Sequence, residues 1–591
     1  MREITKSANT PIARSRIFIW ILYFCFVAVI IRLFYWQIIK TDTLQAAADA
    51  QYTRTIKSQG QRGDILTADG QVLVTNKEVY RLFAQPHLIS STPQEIAVKL
   101  APILVEKDRG NSIIATDSAS LAELILTKQE MLEEKLSKED TKWVSLDQGI
   151  PEEIKDTISE MKIFALGFDP YFERQYPEAS MAAHITGFVG KDDEGYDLGY
   201  FGIEGALEQE LKARNSQETF ITDALGTPLT PGGRAEYPQV GRTVTTTIKR
   251  EIQYLVESEL SAAMEKYGAK SGEVVVLDPK TGDILGLAAY PTFSQDAFWE
   301  ADSATYKNPL LTHTYEPGST FKVLTVAAGI DSGVVERTII CTHCAGPWQY
   351  GKYTIRTWND VYNPGIDLEQ GLAKSDNTAM IFIAEQLGAD RLKKYITDFG
   401  IGEKIHIDLQ EDTQTPFPNS WGPVELATIS FGQGVTTTSM QMVRAIAAVA
   451  NEGTMMRPRI IKSVRDQNTS EVITTEPIVE RQVISPETAD TVTQMMITAA
   501  QSGEAQWTQS KSHTIAGKTG TSQIAEAGGY ATDRTIASFI GFAPADEPKF
   551  VMIVKLVEPE SSPWAAETAA PLWYKIADKL FLHLSILPDR L

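Results

Sequence analysis

The stretch EPGSTFKVLTVAAG, residues 316–329, carries the first sign of this chain's fold and chemistry. It sets Ser319 and Lys322 three residues apart at the start of an apolar helix, a spacing that stacks both side chains on one face and lets the amine reach the hydroxyl. A serine alkoxide is not available near neutral pH. A neutral lysine serves as its base where burial or a second cation lowers the amine pKa, and such help is worth about 10² to 10⁴ in rate. Pro317 and Gly318 shape the helix start, whose positive potential favours a developing oxyanion. The spacing alone is weak, because Ser159 and Lys162 in ISEMK repeat it within a charged stretch that needs no chemistry.

Two later stretches add to it. AKSDNTAM, residues 373–380, supplies Ser375, Asp376 and Asn377, which in isolation read as a turn or helix cap. AGKTGTS, residues 516–522, presents Lys518, Thr519 and Thr521 in a strand-forming context, and Gly520 permits close backbone approach. Such an edge suits a carboxylate and a peptide. It is not a phosphate loop, since Ser512 stands where the first glycine is required. KTG also occurs at Lys280, Thr281 and Gly282, inside GEVVVLDPKTGDILGLAAYP. That copy precedes Ser319 and reads as the turn of a β-hairpin.

A chain of 591 residues with 43% hydrophobic content predicts two or more folded parts. A net charge of −21 offers no basic field for nucleic acid. Residues 17–39, IFIWILYFCFVAVIIRLFYWQII, are long enough to cross a bilayer and carry Arg32 as their one charge. Arg2, Lys6, Arg14 and Arg16 precede them, so the first 16 residues are expected in the cytoplasm and the rest outside. AAADA at 46–50 offers a signal-peptidase pattern, but the apolar run is longer than a signal core and ends well before it, so an uncleaved anchor is expected.

The three cysteines are Cys25 in that span and Cys341 and Cys344 in CTHC, a pair left open between free thiols and a local bridge. A zinc site with His343 would need partners that the sequence does not nominate, and neither metal nor cofactor is expected. Amphipathic stretches at 96–107 and 121–140 read as surface helices, PLTPGGRAEYPQVGRT at 228–243 as a domain boundary, and 535–559 as a second hairpin. Helical patterns between the two hairpins, such as 323–333, 392–402 and 440–453, suggest a sheet covered by helices.

The ordered set SxxK, SxN, KTG is the signature of class A β-lactamases and penicillin-binding proteins. With RGDILTADG at 62–70, RQYPEASMAAHITGFVG at 174–190, FGQGVTTTSMQMVRAIAAVANEG at 431–453 and ASFIGFAPAD at 537–546, the chain resembles a class B penicillin-binding protein. Thr67 and Ala68 replace that family's Asp-Arg pair, and Lys249 stands where an Asp is usual. The resemblance implies a multidomain α/β protein: tail 1–16, transmembrane anchor 17–39, a mixed non-catalytic pedestal domain over 40–240, and a transpeptidase domain over 241–591 with an antiparallel sheet flanked by helices.

It also implies that Ser319 attacks the penultimate D-Ala of a peptidoglycan stem peptide, with Lys322 as base and Ser375 passing a proton to the leaving amine. Asn377 would orient the substrate amide, and Lys518, Thr519, Gly520 and Thr521 would form the carboxylate-binding edge. Backbone N–H groups of Ser319 and Thr521 would make an oxyanion hole, each worth about 3 kcal/mol. An amine from a second stem peptide would resolve the acyl-enzyme, β-lactams would acylate Ser319, and a SEDS-family glycosyltransferase in the bacterial cytoplasmic membrane would be a partner. A carboxypeptidase or β-lactamase of the same fold would not need the anchor and the pedestal. A β-lactam sensor would need a cytoplasmic domain or further spans, for which the first 16 residues leave no room.

Overall fold

A computed structural model describes residues 11–45, 53–58, 60–110, 118–138, 140–213, 216–221, 240–417, 420–526 and 529–590. The basic residues Arg2 and Lys6, the alanines at 46–50 and most of the expected boundary at 228–243 lie outside them. The chain forms two compact units. Met1–Gly60 with Arg214–Gln239 make one, and Gln61–Ala213 with Val240–Leu591 make the other.

In the first unit a helix over Pro11–Phe34 runs on through a π-turn at Tyr35–Ile39. Its stretch Ser15–Ile39 has a mean hydropathy of 2.6 and is long and apolar enough to cross a membrane. Trp20 and Phe24 on it are exposed, 70% and 74%. The unit also holds an antiparallel pair of strands, Thr53–Ser58 and Ser216–Ile221.

The second unit begins with a sheet around the long strand Val72–Ala84, flanked antiparallel by Val144–Ile150 and Leu166–Gln175. Helices Pro93–Gly110 and Ser118–Leu136 bury Ile96, Leu100, Leu104 and Leu132 against Leu82 and Leu146, the apolar spacing that marked them in sequence. The opposite end of the sheet is non-local. Ile65–Leu66 pairs parallel with Thr243–Thr246, which pairs antiparallel with Ile461–Arg465. Arg62, of RGDILTADG, lies between the carboxylates of Glu204 and Glu208 at 2.6 and 2.7 Å, and Arg174 reaches the other Glu204 oxygen at 2.7 Å. The two N-terminal sequence elements therefore meet on one fully buried glutamate.

The remainder is built on a five-stranded antiparallel sheet: β1 (Ser271–Leu277), β2 (Ile284–Tyr290), β3 (Ala516–Glu526), β4 (Gly529–Ala543) and β5 (Phe550–Val557), in spatial order β2-β1-β5-β4-β3. Both expected hairpins form, β1–β2 and β4–β5. The first KTG copy occupies the β1–β2 turn, where Gly282 takes φ +77 and Lys280 is exposed. Alternation sorts the strands: Val274, Val276, Met552 and Val554 face α1 (Arg250–Tyr267) and the C-terminal helix Ala569–His583. Val275, Leu277, Val551 and Ile553 face the opposite layer.

That second layer contains α2 (Lys322–Asp331), α3 (Asn377–Leu387) and α4 (Ser439–Ala450). Every residue of α4 is buried, and Thr438 with Gln441 closes a capping box at its start. Lys555 is the one cation on the inner face of β5; its amine meets the Glu273 carboxylate at 2.6 Å and lies 4.4 Å from the Tyr315 ring centre, both ions being about 2% exposed.

Candidate active site

The turn Gly318–Phe321 is a 3₁₀ helix that feeds directly into α2, so Ser319 sits half-buried on the turn and Lys322 begins the α-helix. Gly318 adopts φ +55, and its N–H donates to the Gly432 carbonyl at 3.1 Å. Gly432, at φ +83, is pressed so closely that a β-carbon there would stand 2.3 Å from the Gly318 oxygen. FGQGV is thus the floor under the serine turn. The edge strand β3 passes on the other side, where a β-carbon on Gly520 would fall 2.7 Å from Ser538 Oγ and 2.8 Å from Thr320. Glycine is what allows strand and turn to approach.

Ser375 is held in the left-handed region, φ +54, between a short helix Leu368–Ala373 and α3. Asp376 caps α3, accepting from the Thr378 and Ala379 N–H groups at 2.8 and 3.3 Å. Asn363 donates to the other Asp376 oxygen at 3.0 Å, and its own backbone N–H donates to the Cys344 carbonyl. Cys341 and Cys344 form a disulfide, which resolves the pair left open in sequence and places the bridge behind the loop that supports Ser375.

The lysines converge. Lys322 Nζ donates to the Ser375 carbonyl at 2.6 Å and to Ser375 Oγ at 3.2 Å. Lys518 Nζ donates to the same Oγ at 3.1 Å and to the Thr519 carbonyl at 3.1 Å. Accepting from two amines leaves the Ser375 hydroxyl with one proton of its own to donate. Burial and the Lys518 charge push the Lys322 amine down to about 7, against the pull of Glu504 and Asp376. Burial likewise lowers Lys518, opposed by Glu504. A half-neutral lysine at neutral pH is the state a general base needs.

The structure brings Ser319, Lys322, Ser375, Lys518, Thr519, Gly520 and Thr521 into one cluster, with Asn377 at its rim donating to the Arg356 carbonyl at 2.9 Å. It differs from the helical-face expectation in one respect. The hydrogen bonds of Lys322 go to Ser375, and among the described residues Ser319 Oγ makes none, although the 3₁₀ turn sets i and i+3 residues on one face. The control pair behaves otherwise: Ser159 back-bonds to the Lys155 carbonyl and Lys162 lies beyond the helix end, both exposed. Sequence reasoning missed Glu504, which accepts from Thr519 Oγ1 at 3.1 Å and lies in a loop without any motif. It also missed Glu316, which accepts from the Gly434 N–H and from Tyr530 at 3.0 Å each, and whose carboxyl is raised by burial.

An antiparallel sheet whose edge strand carries Lys-Thr-Gly beside a Ser-x-x-Lys turn defines the penicillin-recognising class of serine acyltransferases. Residues 272–578 match the penicillin-binding protein transpeptidase domain, and residues 57–246 match the penicillin-binding protein dimerisation domain. The chain belongs to the penicillin-binding protein transpeptidase family. It is 31% identical to stage V sporulation protein D of Bacillus subtilis over 98% of this chain and 87% of that one. It is 24% identical to the peptidoglycan D,D-transpeptidase FtsI of Escherichia coli over 94% and 89%. Penicillin-binding protein 2X of Streptococcus thermophilus shares the fold with a TM-score of 0.73 at 22% identity, covering 90% of this chain and 80% of that one. Penicillin-binding protein 3 of Mycobacterium tuberculosis, solved with aztreonam, does so at 0.67 and 22%, covering 90% and 98%.

Proposed function

We propose that this chain is a membrane-anchored peptidoglycan D,D-transpeptidase in which Ser319 is the acylated nucleophile. The observation that carries the reading is the convergence of two buried lysines on one serine hydroxyl, with Lys322, poised near neutrality, opening the helix that the Ser319 turn leads into. Ser319 Oγ bonds to the carbonyl carbon of the penultimate D-Ala, and its proton passes to the Lys322 amine. The proton then moves by way of Ser375 to the departing D-Ala nitrogen as the C–N bond breaks. Lys518, Thr519 and Thr521, on the open edge of β3, hold the terminal carboxylate, Gly520 lets that edge lie close, and Asn377 orients the peptide amide. An amine of a second stem peptide resolves the ester. A β-lactam, acylating the same serine, remains attached.

The domain limits 40–240 and 241–591 accompany this reading, as does an orientation with the N-terminus in the cytoplasm and the catalytic part outside the cytoplasmic membrane. A SEDS-family glycosyltransferase as partner rests on the family resemblance, and co-purification from detergent tests it. The nucleophile is tested by labelling the full-length protein and its Ser319→Ala variant with fluorescent penicillin. Label is expected on the first alone. Covalent label on the alanine variant overturns the assignment.

A further inference from the structure

Two tryptophans outside this cluster meet beside it. Trp358 follows the short hairpin Trp348–Ile355, and Trp564 lies in the loop after β5. Their ring centres are 5.3 Å apart with planes at 63°. Each ring is tied within two residues to a different wall of the site. On one side the Arg356 carbonyl accepts from Asn377, and on the other the Ala565 N–H donates to Thr521 Oγ1 at 3.1 Å. The pair therefore links the Ser375–Asn377 wall to the β3 wall across the mouth. Both rings stay nearly half exposed, 49% and 43%, whereas a contact made for core packing would bury them.

We propose that Trp358 and Trp564 form an aromatic clasp over the acyl site that sets the acceptor, favouring an amine-bearing peptide over water. The inference rests on Ser319 being the acylated residue. In the acyl-enzyme two acceptors compete for one carbonyl carbon. With the peptide, nitrogen bonds to that carbon, the carbon–oxygen bond to Ser319 breaks, and the proton lost by nitrogen goes to Ser319 Oγ. With water, oxygen bonds instead, the same bond breaks, the proton lost by water goes to Ser319 Oγ, and a free carboxylic acid leaves. Water needs no binding surface to reach the ester. A peptide presents flat amide faces and apolar groups, which lie against indole rings and replace the contact each ring makes with the other. A closed clasp thus holds bulk solvent off while a bound acceptor takes its place. A pair of this geometry favours the closed arrangement roughly 2- to 12-fold, which bounds the effect.

The test uses full-length protein in detergent with a synthetic D-alanyl thioester donor and a D-amino acid as amine acceptor. The readout is the ratio of hydrolysed to aminolysed product per acyl-enzyme formed, so a poorly folding variant changes the yield and leaves the ratio intact. Trp358→Ala and Trp564→Ala are each expected to raise that ratio about 3- to 10-fold, the double variant no further, and Trp→Phe at either position to restore most of it. An unchanged ratio in both alanine variants overturns the clasp. So does a double variant whose ratio is the product of the single effects, which makes the rings independent. Penicillin labelling alongside keeps the two readings apart, because a failed clasp leaves Ser319 labelled.

Discussion

Removing the charge of Lys518 should move the pH at which Lys322 becomes a base. Both amine nitrogens reach Ser375 Oγ, at 3.2 and 3.1 Å, and so lie about 6 Å apart or less. At an effective dielectric near 20, two like charges at that separation repel by roughly 3 kcal/mol, or about two pKa units. Lys322 now sits at about 7. Its folded value is depressed, so the neutral base is present above about 7 and is lost as pH falls through it. In Lys518→Gln the midpoint should rise to about 9, which cuts the neutral fraction at pH 7 from about half to about 1%.

The assay is the rate of covalent labelling by fluorescent penicillin from pH 6 to 9.5. The variant should be about 50-fold slower at pH 7 from this effect alone and nearly restored at pH 9.5. Losing the contact proposed between Lys518 and the ligand carboxylate adds a factor that does not depend on pH, so the diagnostic is the change in the wild-type to variant ratio, about 40-fold between those two pH values. A ratio that stays constant across the range would refute the argument, because either Lys322 is then not the titrating base or Lys518 does not set its pKa.

Two further outcomes follow from packing. Lys555→Met strands the buried Glu273 carboxylate and should cost about 3 to 5 kcal/mol in denaturant unfolding, most of it recovered by adding Glu273→Gln; a single-variant loss below about 1 kcal/mol contradicts the pairing argument. Gly432→Ala should slow penicillin labelling at least about tenfold, because its β-carbon meets the Gly318 carbonyl at 2.3 Å and a floor that cannot yield displaces the serine turn. Gly333→Ala, also at positive φ but with nothing within 4 Å, should cost about 1 kcal/mol of stability and leave the labelling rate unchanged; equal losses of rate would refute the close-approach reading.

Much of this was legible in the chain because the decisive signals are local. The hairpins announce themselves by apolar runs around a turn, the membrane-length helix by composition, and the three short motifs by their order. The illegible parts are those made by residues distant in sequence. Lys322 is aimed by Ser375, not by its neighbour on the turn, and no spacing within EPGSTFK contains that information. Glu504 reaches the cluster from a loop whose composition says only that it is a loop. Trp358 and Trp564 are adjacent only because a sheet edge and a helix cap bring their loops together. The reading of residues 40–240 as a separate stretch likewise could not foresee the strand Ile461–Arg465, because a strand's sequence records that one face is buried and not which neighbour it joins.

That late strand has a consequence for how the protein is made. Val244 finds Val464 as its partner, roughly 220 residues further on, and a ribosome adding about 5 to 20 residues per second needs roughly 10 to 45 s to deliver it. Until then Thr243–Thr246 is an open sheet edge on a nascent chain, able to pair with the same segment of another copy. The growing polypeptide therefore depends on whatever shields that edge during synthesis, and a chain that stalls before residue 461 leaves it uncovered for good.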